Sequence, residues 1–81
     1  MSELEKAVSY LKAGEWQRAH AIVQEDESAL GNWAHGIVHM LEGDMDNARY
    51  WYRRAGRPLQ AGARPDDEIA ALDRTLKEKQ P

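Results

Sequence analysis

Apolar side chains recur three and four positions apart along most of this 81-residue chain, which is the spacing of one face of an α-helix. In the first stretch, Leu4, Val8 and Leu11 share such a face. The pattern predicts an all-α fold. Five helices are expected, over residues 3–13, 16–25, 30–42, 45–55 and 66–79.

Glycines, prolines and capping residues mark the ends of the predicted helices. Gly14 and Gly43 follow the first and third helices, where glycine adopts the left-handed conformation of a C-terminal cap at little cost. Ser28 or Asn32 is expected to cap the third helix after an acidic connector. Segment 57–65 contains two prolines and a glycine and predicts a loop before the last helix.

The first half of the chain is repeated at an offset of 29 residues. At this offset Gly14 aligns with Gly43 and Ala19 with Ala48, and apolar positions align with apolar positions. A fixed period of this kind indicates a repeated supersecondary unit. The two units are expected to be antiparallel helical hairpins over residues 3–25 and 30–56. The last helix is then expected to cover the open edge of the hairpins.

The turns of the two units are GEWQRA at residues 14–19 and GDMDNA at residues 43–48. They resemble the turn of tetratricopeptide repeats, and Gly36 matches a small position of that repeat. The period here is shorter than the usual length of about 34 residues. The resemblance covers residues 3–56 and implies stacked hairpins and a non-enzymatic protein-interaction domain. Residues 42–55 also resemble a group of small uncharacterised bacterial proteins, which implies a family but no activity.

The composition places the chain among single soluble domains, with one domain over residues 1–81. It contains no cysteine, which excludes a disulfide, a thiolate nucleophile and a Cys-based zinc site. No apolar run approaches the roughly 20 residues that a membrane-spanning helix needs. The first residues also lack the basic and apolar segments of a secretion signal. We therefore expect a cytoplasmic protein without a membrane segment.

Charge is distributed unevenly along the chain, because residues 1–48 carry three basic and nine acidic side chains, whereas the rest carry eight and five. The formal net charge of −3 is thus a balance of −6 against +3. An interaction surface for a protein partner or for self-association is predicted within the basic stretch. Its residues are Arg49, Tyr50, Arg53, Arg54 and Arg57. Arginines interleaved with aromatic residues also occur in nucleic-acid-binding proteins, but the acidic pI near 5.5 argues against that partner.

The histidines form the one constellation that is typical of a ligand site. His35, His39 and Glu42 lie on one stripe of the third helix, and two histidines one turn apart can bind a single metal ion. His20 is a candidate for a further ligand. Helical periodicity places the stripe away from the main apolar face, whereas the repeat alignment places it against the neighbouring hairpin. Structural hydrogen bonding, exposure to solvent and binding of a divalent transition metal all remain open.

Enzymatic function classes find little support in the sequence. No Ser-His-Asp order and no phosphate-binding glycine loop is present, and Glu42 does not lie between the histidines as in zinc proteases. We therefore predict a protein that is not an enzyme and carries no cofactor. A metal- or small-ligand-binding protein is the alternative to the interaction domain.

Overall fold

The computed structural model describes residues 2–79; Met1, Gln80 and Pro81 of the predicted 1–81 domain lie outside the described residues. Within residues 2–79 the chain forms helices and no strands, which confirms the predicted all-α class. The helices are α1 (Glu3–Lys12), α2 (Trp16–Val23), α3 (Ala29–Glu42), α4 (Met45–Ala55) and α5 (Pro65–Glu78).

The predicted helix boundaries differ from the observed ones by two residues at most. The second helix was expected to reach residue 25 but ends at Val23, because the amides of Glu25 and Asp26 bond three residues back, to Ile22 and Val23. This tightening closes the helix. Ser28, and not Asn32, caps α3: its hydroxyl accepts a hydrogen bond from an amide of the first turn.

Helix α3 lies at the centre of the fold. It packs against every other helix, and residues 31–38 are buried without interruption. Helices α1 and α2 form the first hairpin, α3 and α4 form the second, and α2 joins the two through α3. Helix α5 packs on α1 and α3, so it covers the hairpins as predicted, and Lys12 of α1 bonds Asp73 of α5 at 2.7 Å. The middle of α3, with neighbours on several sides, therefore has no solvated face.

The second hairpin is held together by a close approach of α3 to α4. Gly36 lies against the ring of Tyr52, and a Cβ atom at position 36 would stand 2.7 Å from its Cε1 and 3.2 Å from the carbonyl oxygen of Ala48. The first distance is too short for packed atoms, and the second would require Ala48 to shift. Glycine at position 36 therefore permits the close approach of the two helices.

Glu68 of α5 binds two buried aromatic side chains of the second hairpin. The hydroxyl of Tyr52 donates to its Oε1 at 2.6 Å, and the indole Nε1 of Trp33 donates to the same oxygen at 3.3 Å. Arg57 covers the Trp33 ring from outside, with its guanidinium carbon 3.4 Å from the ring centroid. Burial and the hydrogen bond to Glu68 raise the pKa of Tyr52, which keeps its hydroxyl a donor. This arrangement is called the Glu68 cluster below.

Candidate metal centre

The three histidines of the chain converge where the two hairpins meet. His20 lies on α2, and His35 and His39 lie one turn apart on α3. Their ring centroids are separated by 4.9, 5.1 and 5.5 Å. One nitrogen of each ring lies within 4.8 Å of the corresponding nitrogens of the other two. We call these residues the histidine cluster.

Two of the ring nitrogens already have the separation of metal ligands. Nε2 of His20 and Nε2 of His35 are 3.2 Å apart. Two nitrogens bound to one tetrahedral zinc ion, at about 2.0–2.1 Å each, lie roughly 3.3 Å apart. Without a metal the same distance suits a hydrogen bond in which one ring donates and the other accepts.

His39 has a carboxylate partner on its outer side. Its Nδ1 lies 3.0 Å from Oε1 of Glu42, one turn along α3. The nitrogen that Glu42 leaves for a metal is therefore Nε2. Metal-binding histidines almost always bond a carboxylate, carbonyl or water through their second nitrogen, which fixes the ring and raises its basicity. Glu42 thus stands in the position of an outer-shell carboxylate.

His35 is the buried member of the cluster, with 5% of its surface exposed. The Trp51 ring stacks on it at a centroid distance of 3.8 Å and an angle of 10°. Its Nδ1 is buried and has no hydrogen-bond partner. Burial, and to a smaller extent His20, His39 and Arg54, lower the pKa of His35 to about 4. His35 is therefore a neutral imidazole at neutral pH, which is the form that binds metal ions.

The structure decides an alternative that the sequence left open. Periodicity alone placed the histidine stripe away from the apolar face, and the repeat alignment placed it against the neighbouring hairpin. His35 is buried, because α2 and α4 cover that side of α3. His20, the candidate for a further ligand, faces His35. Glu42 was also a candidate ligand, but it lies on the outer side of His39, where it bonds Nδ1.

Trp51 is a site residue that the candidate set predicted from the sequence does not include. A signal for its position does exist, because His35 precedes Gly43 by eight residues and Trp51 follows it by eight. Residues equally far from the turn of an antiparallel hairpin lie side by side. The pairing of His35 with Trp51 follows from that symmetry.

The basic residues predicted to form an interaction surface do not all lie in one patch. Tyr50 is 43% exposed, and Nη1 of Arg54 donates to its hydroxyl at 3.1 Å. Arg49 pairs with Asp46 on the same helix. Arg53 is exposed as well. Arg57 lies apart, on the ring of Trp33, so it contributes to packing around α3.

None of the helices in residues 2–79 combines the length and the apolar character needed to cross a bilayer. Comparison of the chain with protein-family models, curated proteins and solved structures finds no match. The observations that bear on its function are therefore the geometry of the histidine cluster and of the α4 surface.

Proposed function

We propose that this protein binds a divalent transition metal through His20, His35 and His39. The observation that carries the proposal is the convergence of three imidazoles, in which Nε2 of the buried His35 lies 3.2 Å from Nε2 of His20. Imidazole is a preferred ligand of Zn²⁺, Cu²⁺, Ni²⁺ and Fe²⁺.

The protein would supply three ligands to such an ion. Glu42 bonds His39 from outside, and the ligand groups recognised within residues 2–79 add no fourth donor to the three rings. Three protein ligands leave one tetrahedral position to water or to a small molecule. The site therefore belongs to the open type of metal centre.

Metal binding would also join the two hairpins, since His20 belongs to α2 of the first and His35 to α3 of the second. An ion that binds the folded chain and not the unfolded one stabilises the fold by about 2.7 kcal/mol at a free concentration of 100 Kd. For a domain of this size that corresponds to a rise in Tm of roughly 10–20 °C.

The test is a thermal unfolding series on chelator-treated protein with added Zn²⁺, Ni²⁺ or Co²⁺. We expect at least one ion to raise Tm at a stoichiometry of one, and Co²⁺ to give the strong visible bands of a tetrahedral site. His35→Gln and His39→Gln are expected to lose both signals. Glu27→Gln, in the exposed connector before α3, is the control and should keep them.

Equal Tm shifts in the wild-type protein and both histidine variants would contradict the proposal, because the ions would then bind elsewhere. Far-UV circular dichroism of each variant confirms that it is folded, so that a lost signal can be assigned to the missing ligand.

A second candidate function is a non-enzymatic interaction with an acidic protein surface, or with the acidic first half of a second copy. The observation that favours it is the exposure of Met45 (39%) and Tyr50 (43%) on α4, beside Arg53 and Arg54. Tyr and Arg are enriched at interface hot spots, and the tetratricopeptide-like hairpins suit this role. The cysteine-free chain is compatible with work in the reducing cytoplasm.

Arg53→Glu combined with Arg54→Glu tests this second function. We expect the double variant to lose partners in a pull-down, or to have a smaller mass by light scattering, while Tm changes by only a few degrees. Unchanged partners and unchanged mass would remove the α4 surface from consideration.

A further inference from the structure

The imidazoles of the histidine cluster are held in place in different ways. Nδ1 of His39 lies 3.0 Å from Oε1 of Glu42, so a hydrogen bond fixes that ring on the side away from His20 and His35. Nδ1 of His35 is buried and has no hydrogen-bond partner. Metal-binding histidines are usually oriented through a bond on their second nitrogen, and His35 lacks that bond.

The contact that covers the His35 ring is a flat one, made by Trp51 of α4. The two ring centroids are 3.8 Å apart and the planes differ by 10°. His39 adds a second, looser stacking contact, with its ring centroid 5.1 Å from that of His35. The plane of the buried imidazole is therefore confined by a neighbouring ring that belongs to another helix.

The plane of an imidazole decides where its metal-binding lone pair points, because that lone pair lies in the plane of the ring. The last torsion of a histidine side chain is broad, so an unrestrained ring would direct its nitrogen in many ways. In this protein Nε2 of His35 lies 3.2 Å from Nε2 of His20. Two nitrogens keep a separation suited to one ion only while both rings keep their planes.

Trp51 is itself restrained on α4. The ring of Tyr50 meets it edge-on, at a centroid distance of 5.1 Å and an angle of 89°. The guanidinium carbon of Arg54 lies 5.1 Å from the Trp51 ring centroid, which is within the range of a cation–π contact. Arg54 also donates to the Tyr50 hydroxyl, so the three side chains brace one another. A braced indole is a firm surface for the His35 ring.

We infer that Trp51 is the positioning residue of His35 in the metal centre: its flat contact holds the plane of the imidazole so that Nε2 faces His20, as the bond to Glu42 holds His39. This inference rests on the proposed metal-binding function. It makes α4 a part of the metal centre although α4 supplies no ligand. The site then depends on the packing of three helices, α2, α3 and α4.

The test compares Trp51→Leu with Trp51→Phe in the full chain, with Co²⁺ as the probe. Leucine is apolar but cannot stack, whereas phenylalanine keeps a flat ring. We expect Trp51→Leu to bind Co²⁺ about 10–100-fold more weakly, the range for lost outer contacts of metal-binding histidines, and to give weaker tetrahedral bands at saturation. Trp51→Phe should stay within about threefold of wild type, with wild-type bands.

Tyr52→Phe is the matched control on α4. It removes the hydroxyl that bonds Glu68 and keeps the ring, so it perturbs the second hairpin without changing the stack on His35. Its Co²⁺ affinity and bands should equal those of wild type. Circular dichroism shows whether each variant is folded. Trp51→Met fills more space than leucine without a flat ring, so it replaces Trp51→Leu if that variant is unfolded, with the same expected losses.

The outcomes separate this inference from the proposed function. If the wild-type protein gives no tetrahedral Co²⁺ bands, the metal centre itself is wrong. If the bands appear and folded Trp51→Leu keeps both the bands and the affinity, the metal centre stands and Trp51 only contributes to packing. If Trp51→Phe loses as much affinity as Trp51→Leu, a flat ring is not what orients His35, which also overturns the inference.

Discussion

Two buried polar clusters flank α3, and they differ in how completely their hydrogen bonds are satisfied. In the Glu68 cluster, the carboxylate accepts from both Tyr52 and Trp33. In the histidine cluster, Nδ1 of His35 is buried and has no partner. Both clusters join separate segments of the chain to the same central helix.

The contrast distinguishes a structural network from a binding site. A fully bonded network fixes the position of α5 and has no capacity left for a ligand. A group of like side chains that face one another has ring nitrogens available for a ligand, and a metal bound there would stabilise the folded chain. The comparison therefore predicts that removing a polar group from the Glu68 cluster lowers the free energy of unfolding, whereas removing one from the histidine cluster changes it little.

The largest effect is expected in the satisfied cluster. Glu68→Ala leaves the buried Tyr52 hydroxyl and Trp33 indole without their acceptor, and we expect it to lower the free energy of unfolding by about 2–4 kcal/mol. The measurement is urea unfolding followed by circular dichroism. The control is Asp67→Ala in the same first turn of α5, which is exposed and should cost about 0.5 kcal/mol or less. Equal losses in the two variants would mean that Glu68 stabilises only the N-terminus of α5, and that its bonds to Tyr52 and Trp33 add nothing to the free energy of unfolding.

A medium effect is expected from pH in the histidine cluster. The unfolded chain protonates His35 near its usual pKa of about 6.5, whereas the folded chain resists until about pH 4, owing to burial and to the neighbouring His20, His39 and Arg54. Stability supplied by the neutral ring is therefore present above about pH 6.5 and is lost as the pH falls toward 4. Between pH 7.5 and 5 we expect a loss of about 2 kcal/mol.

Unfolding of chelator-treated protein at both pH values measures this loss. A His35→Leu variant lacks the titrating ring, so it should lose less stability over the same range. Parallel pH profiles of the two proteins would contradict the buried, neutral state of His35.

The smallest effect, and the sharpest contrast, is expected at pH 8 without metal. His35→Leu removes a buried nitrogen that has no partner, together with the Nε2 hydrogen bond to the half-buried His20, so we expect a change within about 1 kcal/mol. Tyr52→Phe removes a satisfied donor and should cost about 1–2 kcal/mol. The zinc-induced rise in Tm should vanish in His35→Leu and persist in Tyr52→Phe. A large loss of stability in His35→Leu would show that the histidine cluster is itself a structural network.

Much of the fold follows from local signals in the chain. Apolar spacing and the caps Gly14, Ser28 and Gly43 place the helices to within two residues, because these signals act over a few positions. The 29-residue period predicts the two hairpins, because each unit repeats the same local signals for two helices and a turn. The end of α2 was misplaced because nothing in its sequence marks the tightened turns that close it.

Only part of the candidate site could be predicted from the sequence. Helical spacing grouped His35, His39 and Glu42 on one stripe, since those residues share one helix. The approach of His20 depends on the packing of α2 against α3, which a one-dimensional pattern does not specify. The burial of His35 stayed open between helical periodicity and the repeat alignment, because it depends on Trp51 from α4.

The sequence by itself determined the helices, their caps, the repeat and the separation of charge, because each of these follows from the order of residues and not from which helices pack together. Only the tertiary structure decided which polar groups are satisfied. Glu68 meets Trp33 across 35 positions and Tyr52 across 16, whereas His20 meets His35 across 15 and leaves one buried nitrogen unpaired. Hydrogen-bond satisfaction is a property of packed helices, and it separates the structural side of α3 from the side proposed to bind metal.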